Sequence, residues 1–160
     1  MTVTKKDFLK QDLNQFAQTV ARGQVTNPSY DNIFSAVVSG STNVVAGDAV
    51  EVITTSKGTP AVKPLTSSGN VFGFAIYEAK QTEYSAGQAL EIAQDGAVIY
   101  MWSSEAIDAG EYVRYDYSTG AIAAADAADD VVIGIAQEAI AADGIGKVKI
   151  MAQPRIVIPS

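Results

Sequence analysis

Ala46-Gly47-Asp48-Ala49-Val50-Glu51-Val52 returns as Ala86-Gly87-Gln88-Ala89-Leu90-Glu91-Ile92, and again as Ala109-Gly110-Glu111-Tyr112-Val113-Arg114-Tyr115. Each copy reads Ala-Gly, a polar residue, then side chains that alternate inward and outward, the period of a half-buried strand. A second phrase also recurs: Val71-Phe72-Gly73-Phe74-Ala75-Ile76-Tyr77-Glu78-Ala79 is echoed by Val132-Ile133-Gly134-Ile135-Ala136-Gln137-Glu138-Ala139. The order is an Ala-Gly turn and strand, then a Gly-centred strand, then the same again. This order predicts a mainly β domain with approximate internal duplication.

Working outward, strands are expected over 33–38, 49–54, 71–79, 89–93, 97–102, 111–116, 121–124, 131–139 and 147–151. They are short, rich in β-branched or aromatic residues, and bounded by Gly, Asp, Ser or Asn. The most apolar runs, 71–79 and 131–139, belong at sheet centres. Asp95-Gly96, Ser118-Thr119-Gly120 and Asp143-Gly144 read as hairpin turns. Residues 55–70 lack periodicity and read as an exposed loop. Many short strands at this spacing point to a small barrel or sandwich.

The ends of the chain are written differently. Over residues 5–22, Phe8, Leu9, Leu13, Phe16, Ala17 and Val20 form one apolar stripe of an amphipathic helix. Thr4 and Asp7 approximate a capping box, and Gly23 is a natural stop. An isolated helix of this length is marginal, so the stripe needs a docking surface, either this β domain or another protein. At the other end, Ile156, Val157 and Ile158 lie between Pro154 and Pro159, which suits a sheet edge. The expected organisation is a helix and linker arm at 1–30, a β domain at 31–152 and a Pro-fenced tail at 153–160.

Composition narrows the chemistry. The chain has no Cys and no His. That removes disulfides, thiolate nucleophiles, His-based acid–base catalysis and the usual zinc sites. With a net charge of −7 and scattered basic residues, no nucleic-acid partner is expected. No apolar run reaches the ~18 residues that span a bilayer, so no membrane partner is expected either. Carboxylate-only catalysis would draw on Glu78, Glu83, Glu91, Glu105, Glu111 and Glu138, but no pair stands out. Asp126, Asp129 and Asp130 lack the spacing of a calcium loop and read as a solvated acidic loop. No enzyme activity and no cofactor are expected. The charged fraction of 18% suits a chain that works packed against neighbours.

Over about residues 40–152, the succession of Ala-Gly turns, Gly-centred strands, Ala-Gly-Glu-Tyr-Val-Arg-Tyr-Asp with Ser-Thr-Gly, Ile-Gly-Ile-Ala and a closing Gly-Lys-Val-Lys-Ile strand resembles the capsid decoration, or structural cement, proteins of tailed bacteriophages. The resemblance implies a small β-barrel or β-tulip domain on the outer surface of the expanded head. It also implies the major capsid protein as partner and a homotrimer as the common state. The N-terminal helix and the tail have no counterpart in that pattern.

Contact residues follow from chemistry. Tyr and Arg are favoured interface anchors. Tyr112, Arg114 and Tyr117 form part of the densest aromatic-cationic cluster, and Trp102 closes an apolar strand. In the alternative for that cluster, it packs across strands with Arg114 paired to Asp116 or Glu111. With Phe8, Leu13, Phe16 and Val20 of the stripe and Ile156 and Ile158 of the tail, these are the candidate interface. Two rival readings are a carbohydrate-binding or adhesin-like module, with Trp102, Tyr112 and Tyr117 as its sugar platform, and a tail-tube or neck subunit.

Overall fold

The repeated Ala-Gly phrase folds into a repeated turn. In the computed structural model, which describes residues 21–26, 32–54, 58–66, 70–78, 81–151 and 156–157, Gly47, Gly87 and Gly110 have φ of 88, 86 and 87°. Residues with a Cβ rarely adopt this backbone, which is why glycine recurs. The polar residue that follows caps the turn. Asp48 Oδ2 accepts the Val45 N–H at 2.9 Å, Gln88 Oε1 that of Ser85 at 2.7 Å, and Glu111 Oε2 that of Asp108 at 2.8 Å. Acid and amide serve equally, because the turn needs only an oxygen there.

Thirteen strands are described: β1 (Ile33–Val38), β2 (Val44–Val45), β3 (Ala49–Thr54), β4 (Ala61–Pro64), β5 (Gly73–Ala75), β6 (Glu83–Tyr84), β7 (Ala89–Ala93), β8 (Val98–Trp102), β9 (Tyr112–Asp116), β10 (Ala121–Ala124), β11 (Val131–Ala136), β12 (Ile145–Ile150) and β13 (Ile156–Val157). The first unit is a closed barrel ordered β1-β4-β3-β5-β7. The second is a sheet ordered β10-β9-β11-β12-β8, with β13 beside β11. Read from β4, the barrel runs β4-β3-β5-β7-β1, so the two units share one strand order. Strands β2 and β6 form a separate ribbon.

The duplication extends to individual bonds. Gly47 N–H donates to Ala75 O at 2.7 Å, and Gly110 N–H to Ala136 O at 2.8 Å. Ala75 N–H donates to Asp48 O, and Ala136 N–H to Glu111 O, both at 2.9 Å. The central glycines also match. A Cβ on Gly73 would lie 2.5 Å from Ala93 O, and one on Gly134 2.6 Å from Lys149 O. Each glycine lets a central strand lie close to the next backbone.

The units differ in closure. Strands β1 and β4 pair in parallel through Val37↔Ala61 and Val38↔Val62. Strands β8 and β10 share only the bridge Ser103↔Ile122, where the buried Ser103 hydroxyl donates to Ile122 O at 3.2 Å. Residues 23–26 enter this seam. Gly23 N–H donates to Tyr100 O at 2.7 Å, Tyr100 N–H to Gln24 O at 3.0 Å, and Thr26 N–H to Val98 O at 2.9 Å.

Two cores result. Ala36, Val38, Val50, Val62, Leu90 and Ile92 fill the barrel. The second core lies between the units, where Ile99, Met101, Val113, Ile122, Ile133, Val148 and Ile150 pack on Ala49, Phe74 and Ala93 from the barrel's outside. The Phe74 ring meets Tyr115 edge-on at 5.7 Å and 76°. Burying a side chain such as Phe74 contributes about 1.5–3 kcal/mol.

Several expectations need correction. Strand β4 lies inside the segment read as a loop. Its four residues are too few to show a period, Pro60 precedes it and Pro64 ends it, and long-range pairing to β1 and β3 fixes it. Asp95-Gly96 makes a turn but no hairpin, because β7 pairs with β1 and β5 whereas β8 pairs with β12. The Gly-centred strands stop at Ala75 and Ala136, and the last long strand runs 145–150. The helix expected over 5–22 lies outside the described residues, except that Ala21 and Arg22 are coil and turn.

Candidate interaction surface

The outward face of the second unit is built by strand alternation. Val98, Lys149, Ile135 and Tyr112 stand opposite one another in a row across β8, β12, β11 and β9. Tyr100 stands opposite Lys147, and Trp102 opposite Ile145. Tyr112 is 46% exposed and Ile145 43%. Lys149 is exposed, and Tyr100, Trp102, Ile135 and Lys147 are half-buried. Lys147 Nζ sits 5.9 Å from the centre of the Tyr100 ring, a cation over an aromatic face. In the barrel the matching row is Ala49, Phe74 and Ala93, and the second unit covers it.

The expected site residues do not form one patch. Trp102 and Tyr112 share the outward face, but β11 and β12 separate their strands, about 14 Å at ordinary strand spacing. Arg114 pairs with Asp130 at 3.7 Å rather than with Asp116 or Glu111. The hairpin brings the acidic loop back toward β9, a contact that sequence distance hides. Tyr117 lies past the end of β9 in a recess of 180 Å³ shared with Asp48, Leu65 and Tyr115. A flat sugar platform of Trp102, Tyr112 and Tyr117 is therefore not formed. Ile156 belongs to β13 and pairs with Val132. Phe8, Leu13, Phe16, Val20 and Ile158 lie outside the described residues.

Other groups were not anticipated. Lys147 and Lys149 were legible only as alternation in Gly-Lys-Val-Lys-Ile. Arg22 was not legible at all. Its Nη2 meets Asp48 Oδ1 at 3.0 Å and donates to Gly120 O at 2.7 Å, joining the N-terminal segment to both units. Burial first, and then the Asp48 charge, push the Tyr115 hydroxyl above its ordinary range. On the barrel, burial and the neighbouring Glu91 raise the Glu78 carboxyl. The Tyr84 hydroxyl beneath them donates to Ile76 O at 2.6 Å. Glu51 moves the other way, because Lys63 bonds to its carboxylate at 2.9 Å.

The family described as "Structural cement protein (E217 gp24/Pam3 gp6)" matches residues 9–151. The chain belongs to the phage structural cement protein family. A solved structure with a related fold is "The crystal structure of head fiber gp8.5 N base in bacteriophage phi29". The likeness has a TM-score of 0.53 at 14% identity and covers 75% of this chain and 93% of that one. No curated protein matches. This cement-family chain is thus a structural protein of the phage virion, and the family implies binding to capsid proteins.

Proposed function

We propose that this chain decorates the outer surface of the expanded head and cements neighbouring major capsid proteins. The family match over residues 9–151 carries the reading. The fold supports it: a rigid body with short capped turns, two interlocked β units and an outward sheet face bearing Tyr112, Ile135 and Trp102. Such a body acts mechanically. Contacts that exist only on the assembled shell shift the equilibrium toward that shell. Repetition over many sites turns modest contacts into resistance to internal pressure. The trimer implied by the resemblance and the attachment of the stripe at Phe8, Leu13, Phe16 and Val20 belong to the same proposal.

Co-sedimentation with expanded shells lacking this protein tests the reading. Added protein should pellet with the shells and raise the temperature at which they open. Shells that neither bind it nor gain stability would refute cementing while leaving the family membership intact.

A further inference from the structure

The two units present repeat-related outer faces of opposite character. In the first unit, β1 and β7 pair as Ile33↔Ala93, Ser35↔Glu91 and Val37↔Ala89. In the second, β8 and β12 pair in the same register as Val98↔Lys149, Tyr100↔Lys147 and Trp102↔Ile145. At matching positions, Glu91 faces out where Lys147 does, Ser35 where Tyr100 does, and Val37 where Trp102 does. One face is therefore small-chained and acidic, with Glu78 beside Glu91. The other is bulky, aromatic and cationic, on a chain whose net charge is −7.

Among the described residues neither face finds its ionic complement. The ion pairs among the described residues are Arg22–Asp48, Lys63–Glu51 and Arg114–Asp130. Lys147, Lys149, Glu78 and Glu91 take part in none of them. Two adjoining carboxylates repel each other, and a cation between them would relieve that repulsion. Among the described residues no ion pair joins the two faces, and a second copy offers each face its complement.

We propose that the Tyr100–Trp102–Lys147 face of one copy docks on the Ser35–Val37–Glu91 face of a second copy. The bulky side chains fill the hollow left by the small ones, and Lys147 reaches Glu91 and Glu78. Because two different surfaces meet, the contact is heterologous. It closes into a ring if the rotation allows and otherwise runs on as an open array. This deepens the self-association within the cement reading by naming its surfaces.

Sedimentation of the full-length free protein tests it. The wild type should self-associate, and less so as salt screens the ionic part. Lys147→Glu and Glu91→Lys, each at a surface position and checked for a melting temperature no lower than that of the wild type, should each weaken association at least tenfold. The double variant carrying both should recover part of it, because the pair at positions 147 and 91 is then reversed but still complementary, while Glu78 keeps its charge. A wild type that stays monomeric overturns the proposal, as does an oligomer indifferent to both single reversals or a double variant that stays dissociated. Shell co-sedimentation is read separately. Self-association without shell binding would sink cementing but not this contact, and shell binding by a monomer would do the reverse.

Discussion

Gly134 shows how tightly single positions are held. Its missing Cβ would lie 2.6 Å from Lys149 O and 2.7 Å from Val148 Cγ1, so Gly134→Ala must push β11 from β12. We expect a loss of about 1–3 kcal/mol, read by chemical denaturation with an unchanged slope. Glu78 gives a pH-dependent counterpart. Its folded carboxyl titrates above the ordinary 4.5, first from burial and then from Glu91. The protonated form is thus favoured in the fold. Its contribution to stability is fully present below pH 4.5 and is lost as pH rises through the folded value. Glu78→Gln should therefore raise the melting temperature near pH 7 and leave it unchanged near pH 4. An equal gain at both values would show that Glu91 and burial do not control this site. The roles of Gly73 and Gly134 as strand centres were legible from their apolar flanks. The Glu78–Glu91 encounter was not, since it depends on β5 and β7 becoming neighbours.

At the scale of elements, the seam between β8 and β10 is the notable departure from repetition. In the barrel, Val37 N–H donates to Pro60 O at 3.0 Å and helps to close the wall. In the second unit the carbonyl of Gly120, in the corresponding turn, accepts Arg22 instead. Residues 22–26 thus serve as part of the β body. Arg22→Met leaves Asp48 without its cation and Gly120 O without its donor, and should cost about 1–3 kcal/mol. Removal of residues 1–20 should spare the seam, whereas removal of 1–26 should lower the melting temperature sharply. Equal melting temperatures for the two truncations would contradict the seam. Sequence reading placed the end of the arm at residue 30 because nothing in Arg22-Gly23-Gln24-Val25-Thr26 alternates for long enough to announce a strand. The bonds that recruit it come from residues about seventy-five positions away, at Val98 and Tyr100.

For the whole molecule, the stripe of residues 8–20 sets a further test. If it serves attachment, Phe16→Asp should leave the melting temperature of the free protein unchanged and abolish its co-sedimentation with shells. Placing a charge in a stripe buried within the fold would cost several kcal/mol and lower the melting temperature instead. The pairing of a closed unit with an open one also explains the unequal exposure of matching rows. Ala49, Phe74 and Ala93 are at most 1% exposed because the second unit lies over them. Among the described residues no third unit lies over Tyr112, Ile135 and Lys149.

The sequence alone determined the mainly β class, the duplicated order of turns and strands, and the central places of β5 and β11. These are local matters. Glycine sets the turn, alternation sets the strand, and an apolar run between turns belongs at a sheet centre. The same pattern carried the resemblance to the cement family. Only the tertiary structure decided that one copy of the repeat closes while the other opens to receive residues 22–26. It also decided that Asp95-Gly96 joins two sheets, and that repeat-related faces carry Glu91 on one unit and Lys147 on the other. Strand pairing is a long-range choice, settled by which edges and faces find partners across the whole chain. Four-residue strands such as β4 carry too little pattern to reveal that choice beforehand.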